Sequence, residues 1–224
     1  MSSVTESRVE RKRQEARQRL LAAARELFVV EGGFESATIR DIAQRADVSV
    51  GAVYLHFKTK VDIVEALVNE RVAEIIESAK AAIACVQSGR QKFEALMDGF
   101  SQMSLDTEMR LFAQILFLQR RSGRLLDYPD NLLSSNLSSI IDLIAEAFKA
   151  GGSDGSLAIA ENPRLLATII FQCVFGVSVF DFFLSEQGNE GIGSSTGYSA
   201  LEITSSFKRF LLNALVTPPS RADD

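Results

Sequence analysis

No stretch of this 224-residue chain alternates apolar and polar residues for long enough to build a strand. Apolar residues instead recur at three- and four-residue spacing from one end to the other, which confines the chain to an all-α fold. The first expected helix covers residues 10–31, with Ala16, Leu20, Ala24, Leu27 and Phe28 on one stripe and Gly32-Gly33 ending it. A short second helix opens at Thr38, with Asp41 three residues on completing a capping box. Asp47-Val48-Ser49 then reads as a tight turn, and Ser49 caps a third helix over 50–57. Thr59 with Asp62 repeats the cap signature, starting a long helix to residue 85 with Val64, Val68, Val72, Ile75, Ala79 and Ile83 on one face. Two short helices joined by a tight turn and laid on a preceding helix follow the helix-turn-helix plan.

Further helices are expected over 91–105, 107–121 and 130–150, the last closed by Gly151-Gly152. A polar loop then runs to residue 161. Asn162-Pro163 starts the next helix, asparagine as cap and proline at the first helical position, and the final helix covers 200–216. The helix after Pro163 is the most apolar in the chain, but Gln172 and Asp181 lie within it and no positive cluster flanks it. That pattern excludes a membrane span in favour of burial on several sides. Gly-Asn-Glu-Gly-Ile-Gly, within 188–193, follows a helix rather than a strand, so it reads as a linker and not as a phosphate loop.

Net charge is −5, but it is not evenly spread. Residues 1–60 carry eleven Lys/Arg against eight Asp/Glu, a net +3, and residues 61–224 carry −8. A basic segment on an acidic body is the footprint of a small nucleic-acid-binding unit attached to another module, so the expected domains are 1–60 and 61–224. Cys85 and Cys173 are expected as small buried residues, and a single histidine leaves no ligand set for a metal. The start of the chain is polar and charged rather than a secretory signal, and the expected compartment is the cytoplasm.

Thr38, Ile42-Ala43, Ala46, Val48-Ser49, Gly51, Tyr54, His56-Phe57, Lys60, Ile63 and Leu67, preceded by Gly33-Phe34, stand at fixed spacings. With them, residues 20–67 resemble the DNA-binding segment of the tetracycline-repressor (TetR) family. One departure is Asp47 where that family usually has glycine; Asp tolerates the left-handed backbone better than most residues, so the turn should survive. The resemblance implies an N-terminal three-helix helix-turn-helix domain and a C-terminal helical ligand-binding and dimerisation domain. It assigns Thr38, Ser49, Tyr54, His56 and Lys60 to DNA phosphates.

Sequence readout needs side chains at base edges in the major groove. The third helix offers Val50, Gly51, Ala52 and Leu55, short or apolar groups suited to thymine methyls and close backbone approach. Arg40 on the second helix is then the candidate for a bidentate guanine contact. Tyr54 has two readings, core aromatic or phosphate contact. His56, the one histidine, has neighbours that favour a phosphate contact over catalysis, and no nucleophile motif accompanies it. The basic arm Arg8, Arg11, Lys12 and Arg13 is either a solvated charged end or an arm that orders on DNA.

One such domain reads too few bases, so a two-fold homodimer on a palindromic operator is expected. Its interface would draw on Phe171, Phe175, Val179, Phe182 and Phe183 with Ile203, Phe207, Phe210 and Leu211, which the resemblance arranges as a four-helix bundle. Met97, Phe100, Met103, Phe112, Leu116, Phe117 and Ile141 are candidates to line a cavity for a small hydrophobic or aromatic effector. Arg110, Arg120, Arg121 and Arg124 are the one basic cluster of the acidic body, read as a solvated face or an anion hold. No cofactor, metal or catalytic residue is expected. The reading is a ligand-responsive regulator, a repressor released by its effector; a sequence-tolerant DNA-packaging protein and an all-helical enzyme using the central cavity are the alternatives.

Overall fold

The computed structural model describes residues 2–29, 33–103, 106, 108–109, 111–112, 115, 132–185 and 196–215. Among them every regular element is a helix: α1 Ser2–Val29, α2 Gly33–Ser36, α3 Ile39–Arg45, α4 Val50–Tyr54, α5 Lys60–Ala84, α6 Gly89–Met103, α7 Leu132–Asp154, α8 Pro163–Ser185 and α9 Ala200–Leu215. The all-α expectation holds. Of the helix expected over 107–121, positions 108, 109, 111, 112 and 115 are described and helical. Leu116, Phe117, the arginines at 110, 120, 121 and 124, and the linker sequence at 188–193 lie outside the described residues.

The chain forms two compact units, residues 1–71 with 111–128, and residues 72–110 with 129–224. In the first, α1 packs on α2 and α3, and α3 on α4. Its core is Leu20, Ala24, Phe28, Phe34, Ile42, Ala43, Val53, Phe57, Ile63 and Leu67, all buried. Phe28 and Phe34 meet edge to face, with ring centres 5.3 Å apart. In the second unit, α6 packs on α7, α7 on α8, and α9 on both α6 and α8. Phe93 and Phe148, with ring centres 4.9 Å apart, are fully buried in that core. Helix α5 passes from the first unit into the second at residue 71 without a break.

Three boundaries differ from expectation. Helix α1 starts at Ser2, because neither glycine nor proline interrupts the preceding residues. Helix α4 ends at Tyr54 rather than 57: His56 N–H donates to the Val53 carbonyl at 2.9 Å, a three-residue bond that tightens the turn. Helix α7 runs through Gly151-Gly152 to Asp154. The reason is crowding. A Cβ on Gly89 would lie 1.9 Å from the Gly151 nitrogen, so Gly89 lets α6 and α7 touch backbone to backbone, and one on Gly151 would lie 2.6 Å from Leu157 Cδ1, so Gly151 makes room for that side chain. The chain turns at Gly155, whose φ is +73°, and Asp154 accepts the Gly89 N–H at 2.8 Å.

Both cysteines are exposed, against expectation. Cys85 falls in the turn after α5, and Cys173 lies off the buried stripe of α8 formed by Ala167, Ile170, Phe171 and Val174. Among the described residues no helix is long and apolar enough to cross a membrane.

Candidate nucleic-acid interface

The helix starts at α3, α4 and α5 are each made by short polar side chains on backbone N–H groups. Asp41 N–H donates to Thr38 Oγ1 at 3.2 Å, and Thr38 N–H donates to Asp41 Oδ2 at 2.8 Å. The Thr38 hydroxyl also donates to Asp41 Oδ2, at 2.6 Å, and these bonds hold the Asp41 carboxyl below its ordinary pKa. At the other end of α3 the Val48 N–H reaches the Ala43 carbonyl at 3.0 Å and the Asp47 N–H reaches Gln44 at 3.2 Å. That is a Schellman closure, with Asp47 left-handed at φ +53° as anticipated. Ser49 Oγ accepts the Ala52 N–H at 3.1 Å and opens α4. Thr59 and Asp62 reciprocate over the start of α5, where Asp62 also accepts the Lys58 N–H at 2.8 Å.

The geometry separates the core of this unit from its outer face. Val53 and Phe57 of the α4 segment are buried, while Tyr54 is 55 % and Leu55 76 % exposed. Tyr54 is therefore not a core aromatic. Arg40, Ser49, Val50 and Gly51 are exposed with it, and Ala52 and His56 are half-buried. Gly51 is informative. A Cβ there would meet only Ser49 Oγ, at 3.8 Å, so nothing inside the protein requires glycine at that position.

Lys60 is engaged from within. Its ammonium donates to the carbonyls of Phe34 at 2.7 Å and Ala37 at 2.8 Å, and lies 4.4 Å from the centre of the Phe34 ring. It thereby satisfies carbonyls at the end of α2 and fixes the corner from which α3 departs. The sequence pattern gave no sign of this contact, because its partners are backbone atoms more than twenty residues away. His56 sits 6.2 Å, ring to ring, from Phe57. Partial burial, reinforced by the nearby Arg13 and Arg17 charges, holds its pKa below 6.5.

In the second unit, Met97 and Phe100 are buried and Ile141 half-buried, while Phe112 is buried in the first unit. The Met103 side chain is not among those described. Of the residues named for the interface between copies, Phe171 is turned into its own chain and stacks on Phe175 at 5.7 Å, while Phe175 itself is 46 % exposed. Phe210 is 66 % exposed, Ile203, Phe207 and Leu211 are half-buried, and the side chains of Val179, Phe182 and Phe183 lie outside those described. The outward face of α8 also carries Leu165 and Ile169, each at least half exposed, with Gly176 a further turn or two along. Their three- to four-residue spacing was visible in the sequence, but an all-apolar helix does not announce which side faces out.

Two short capped helices around a Schellman turn, with an exposed face of Arg40, Gly51, Tyr54 and Leu55, make this a helix-turn-helix DNA-binding domain. The family model "Bacterial regulatory proteins, tetR family" matches residues 20–67, the segment that holds these capped helices and the turn between them. Among relatives, the transcriptional activator FasR of Mycolicibacterium smegmatis is 33 % identical over 88 residues, 39 % of this chain and 40 % of that protein. The fatty acid metabolism regulator protein of Bacillus subtilis is 26 % identical over 144 residues, 64 % of this chain and 72 % of that protein. Among solved structures, the transcriptional regulator FadR of Bacillus subtilis in complex with stearoyl-CoA has a TM-score of 0.58 at 20 % identity, over 87 % of this chain and 97 % of that one. The fold is thus shared along most of the chain, whereas the family model matches residues 20–67.

Proposed function

We propose that this protein is a homodimeric transcriptional regulator that binds a palindromic operator and is released from it by a small hydrophobic or aromatic effector. The observation that carries the reading is the exposed face of the first unit, where Tyr54, Leu55 and Gly51 serve no internal packing need. Arg40 reads guanine, Val50, Gly51, Ala52 and Leu55 meet base edges or methyls, and Thr38, Ser49, Tyr54 and His56 hold the backbone, while Lys60, assigned to a phosphate by the resemblance, braces the Phe34 and Ala37 carbonyls instead. The 1–60 segment is the DNA-binding domain and 61–224 the sensor and dimerisation domain. The effector site draws on Met97, Phe100 and their neighbours, and α5 carries its occupancy toward α4 by shifting the population of two dimer states. The protein acts on DNA in the cytoplasm and carries out no catalysis in this reading.

The experiment is fluorescence anisotropy of the purified protein on the DNA upstream of its own gene, beside a scrambled duplex of equal length, across a salt series. Selective binding with two subunits or a multiple per site supports the regulator, and loss of signal on adding long-chain acyl thioesters or aromatic compounds defines the effector. Steeply salt-dependent binding without selectivity supports a packaging protein instead. Whether the bound state represses or activates is read by transcription from that promoter, since one relative is named an activator.

A further inference from the structure

The buried stripe of α1 does not stop where the core stops. Read toward the N-terminus it passes Phe28, Ala24 and Leu20, all buried, then Arg17 and Ala16, both half-buried, and Arg13 lies four residues beyond Arg17 on the same face of the helix. Arg17 is the last member held by the fold: its guanidinium lies 5.6 Å from the centre of the Phe57 ring and pairs with Glu70 at 3.2 Å. Arg13 stands one turn further on, about 5.4 Å along the axis. It is exposed and has no anionic partner among the described residues. The other basic residues near this end are placed differently. Arg11 pairs with Glu15 along the helix, Arg8 and Arg19 project from the side away from the buried stripe, and Lys12 lies exposed at its flank, four residues before Ala16.

Arg13 therefore adjoins the DNA-binding surface rather than facing away from it. Phe57, under Arg17, is the chain neighbour of His56, and both Arg13 and Arg17 act electrostatically on the His56 ring. We infer that Arg13 is a DNA phosphate contact outside the helix-turn-helix, gripping the same stretch of backbone as His56, while Arg8 and Lys12 remain solvated. A guanidinium suits the role, since its planar fork meets two phosphate oxygens at once. The inference rests on the proposed DNA binding and divides the basic arm into one working cation and several spectators.

Salt dependence tests it on the full-length protein, using both the upstream and the scrambled duplex because phosphate contacts ignore sequence. Each phosphate contact adds about 0.9 to the slope of log affinity against log salt, so Arg13→Gln in both subunits should flatten it by about 2. Arg13→Lys should restore most of the slope, and Arg8→Gln with Lys12→Gln should leave it close to wild type. Helix content and unfolding midpoint should not change, since Arg13 is exposed. An unchanged slope for Arg13→Gln beside a wild type that binds overturns the inference alone, as does an equal loss in the Arg8/Lys12 variant. A wild type that binds neither duplex at low salt overturns the functional reading and the inference together.

Discussion

The two units of this chain are built from the same element and solve different problems with it. In the DNA-binding unit three of the helices, α2, α3 and α4, have only four to seven residues, far below the length at which a helix persists alone. The unit is held by caps: Thr38 with Asp41, Ser49 on Ala52, Thr59 with Asp62, and the Schellman closure at Asp47. Each cap substitution in such a unit costs about 1 kcal/mol, and each changes where an exposed side chain points. The second unit uses helices of fifteen to twenty-three residues that are secured by apolar burial along their length. There the identity of one residue matters less than its face. The first unit is tied to polar detail, and the second tolerates exchange within a stripe.

The sharpest way to break that contrast is to put one charge on the outward face of the second unit. Phe210→Glu and Ile169→Glu change exposed positions, so the fold of the single chain should survive. If α8 and α9 pair two copies, either variant should sediment as a monomer at micromolar concentration, and operator affinity should fall more than a hundredfold because one domain reads only a half-site. Both variants remaining dimeric would place the interface elsewhere. The next effect belongs to Arg40. Arg40→Ala should lose about 1–3 kcal/mol on the operator, roughly tenfold to hundredfold, and little on scrambled DNA. Equal losses on the two duplexes would make Arg40 a backbone contact.

The same contrast explains what was legible in the sequence. Caps and turns are local chemistry, so the Thr38-Asp41 and Thr59-Asp62 pairs, the Ser49 cap and the left-handed Asp47 could be read residue by residue. Long-range contacts could not. Lys60 is assigned by resemblance to a phosphate, and only the fold shows its ammonium on the Phe34 and Ala37 carbonyls. Gly151 looks like a helix terminator in sequence, yet it lies inside α7, where the Leu157 side chain leaves no room for a Cβ. In α8 the apolar residues surround the helix, so Phe171, expected outside, packs inward, and Leu165 and Ile169, which were not singled out, face solvent.

Gly51 sharpens the comparison further, because it separates stability from function at one atom. Gly51→Ala adds a methyl that meets only Ser49 Oγ at 3.8 Å and improves helix propensity by up to about 1 kcal/mol. The unfolding midpoint should hold or rise while operator affinity drops about tenfold, as the Cβ intrudes between α4 and the groove floor. A variant that binds as wild type would show that α4 does not come close to the bases.

A few-fold effect is expected from His56. Burial, then Arg13 and Arg17, depress its pKa below 6.5 in the free protein, so the unfolded chain takes up the proton first. The His56 contribution to stability is complete above pH 6.5 and is lost as pH falls through the folded-state pKa. A phosphate beside the ring favours the charged form, so DNA should raise that pKa and bind with proton uptake. Affinity should therefore increase a few-fold as pH drops from 7.5 through 6.5 in wild type but stay flat in His56→Gln. A histidine clear of the DNA would give the two proteins the same profile.

Asp47 should give the smallest change, and it is confined to one side of the comparison. A non-glycine residue at φ +53° carries strain that glycine lacks, and Asp tolerates it better than most. Asp47→Gly should relieve about 1 kcal/mol or less, with part of the gain offset by the greater freedom of glycine in the unfolded chain. Its side chain is exposed and lies in the turn rather than on α4, so operator affinity should change less than twofold at low salt once the loss of one negative charge is allowed for. A large gain in affinity would mean that Asp47 faces the phosphate backbone and weakens binding by repulsion. In that event the departure from glycine at this turn would be a device for lowering affinity, and the polar detail of the first unit would tune its DNA contact as well as its shape.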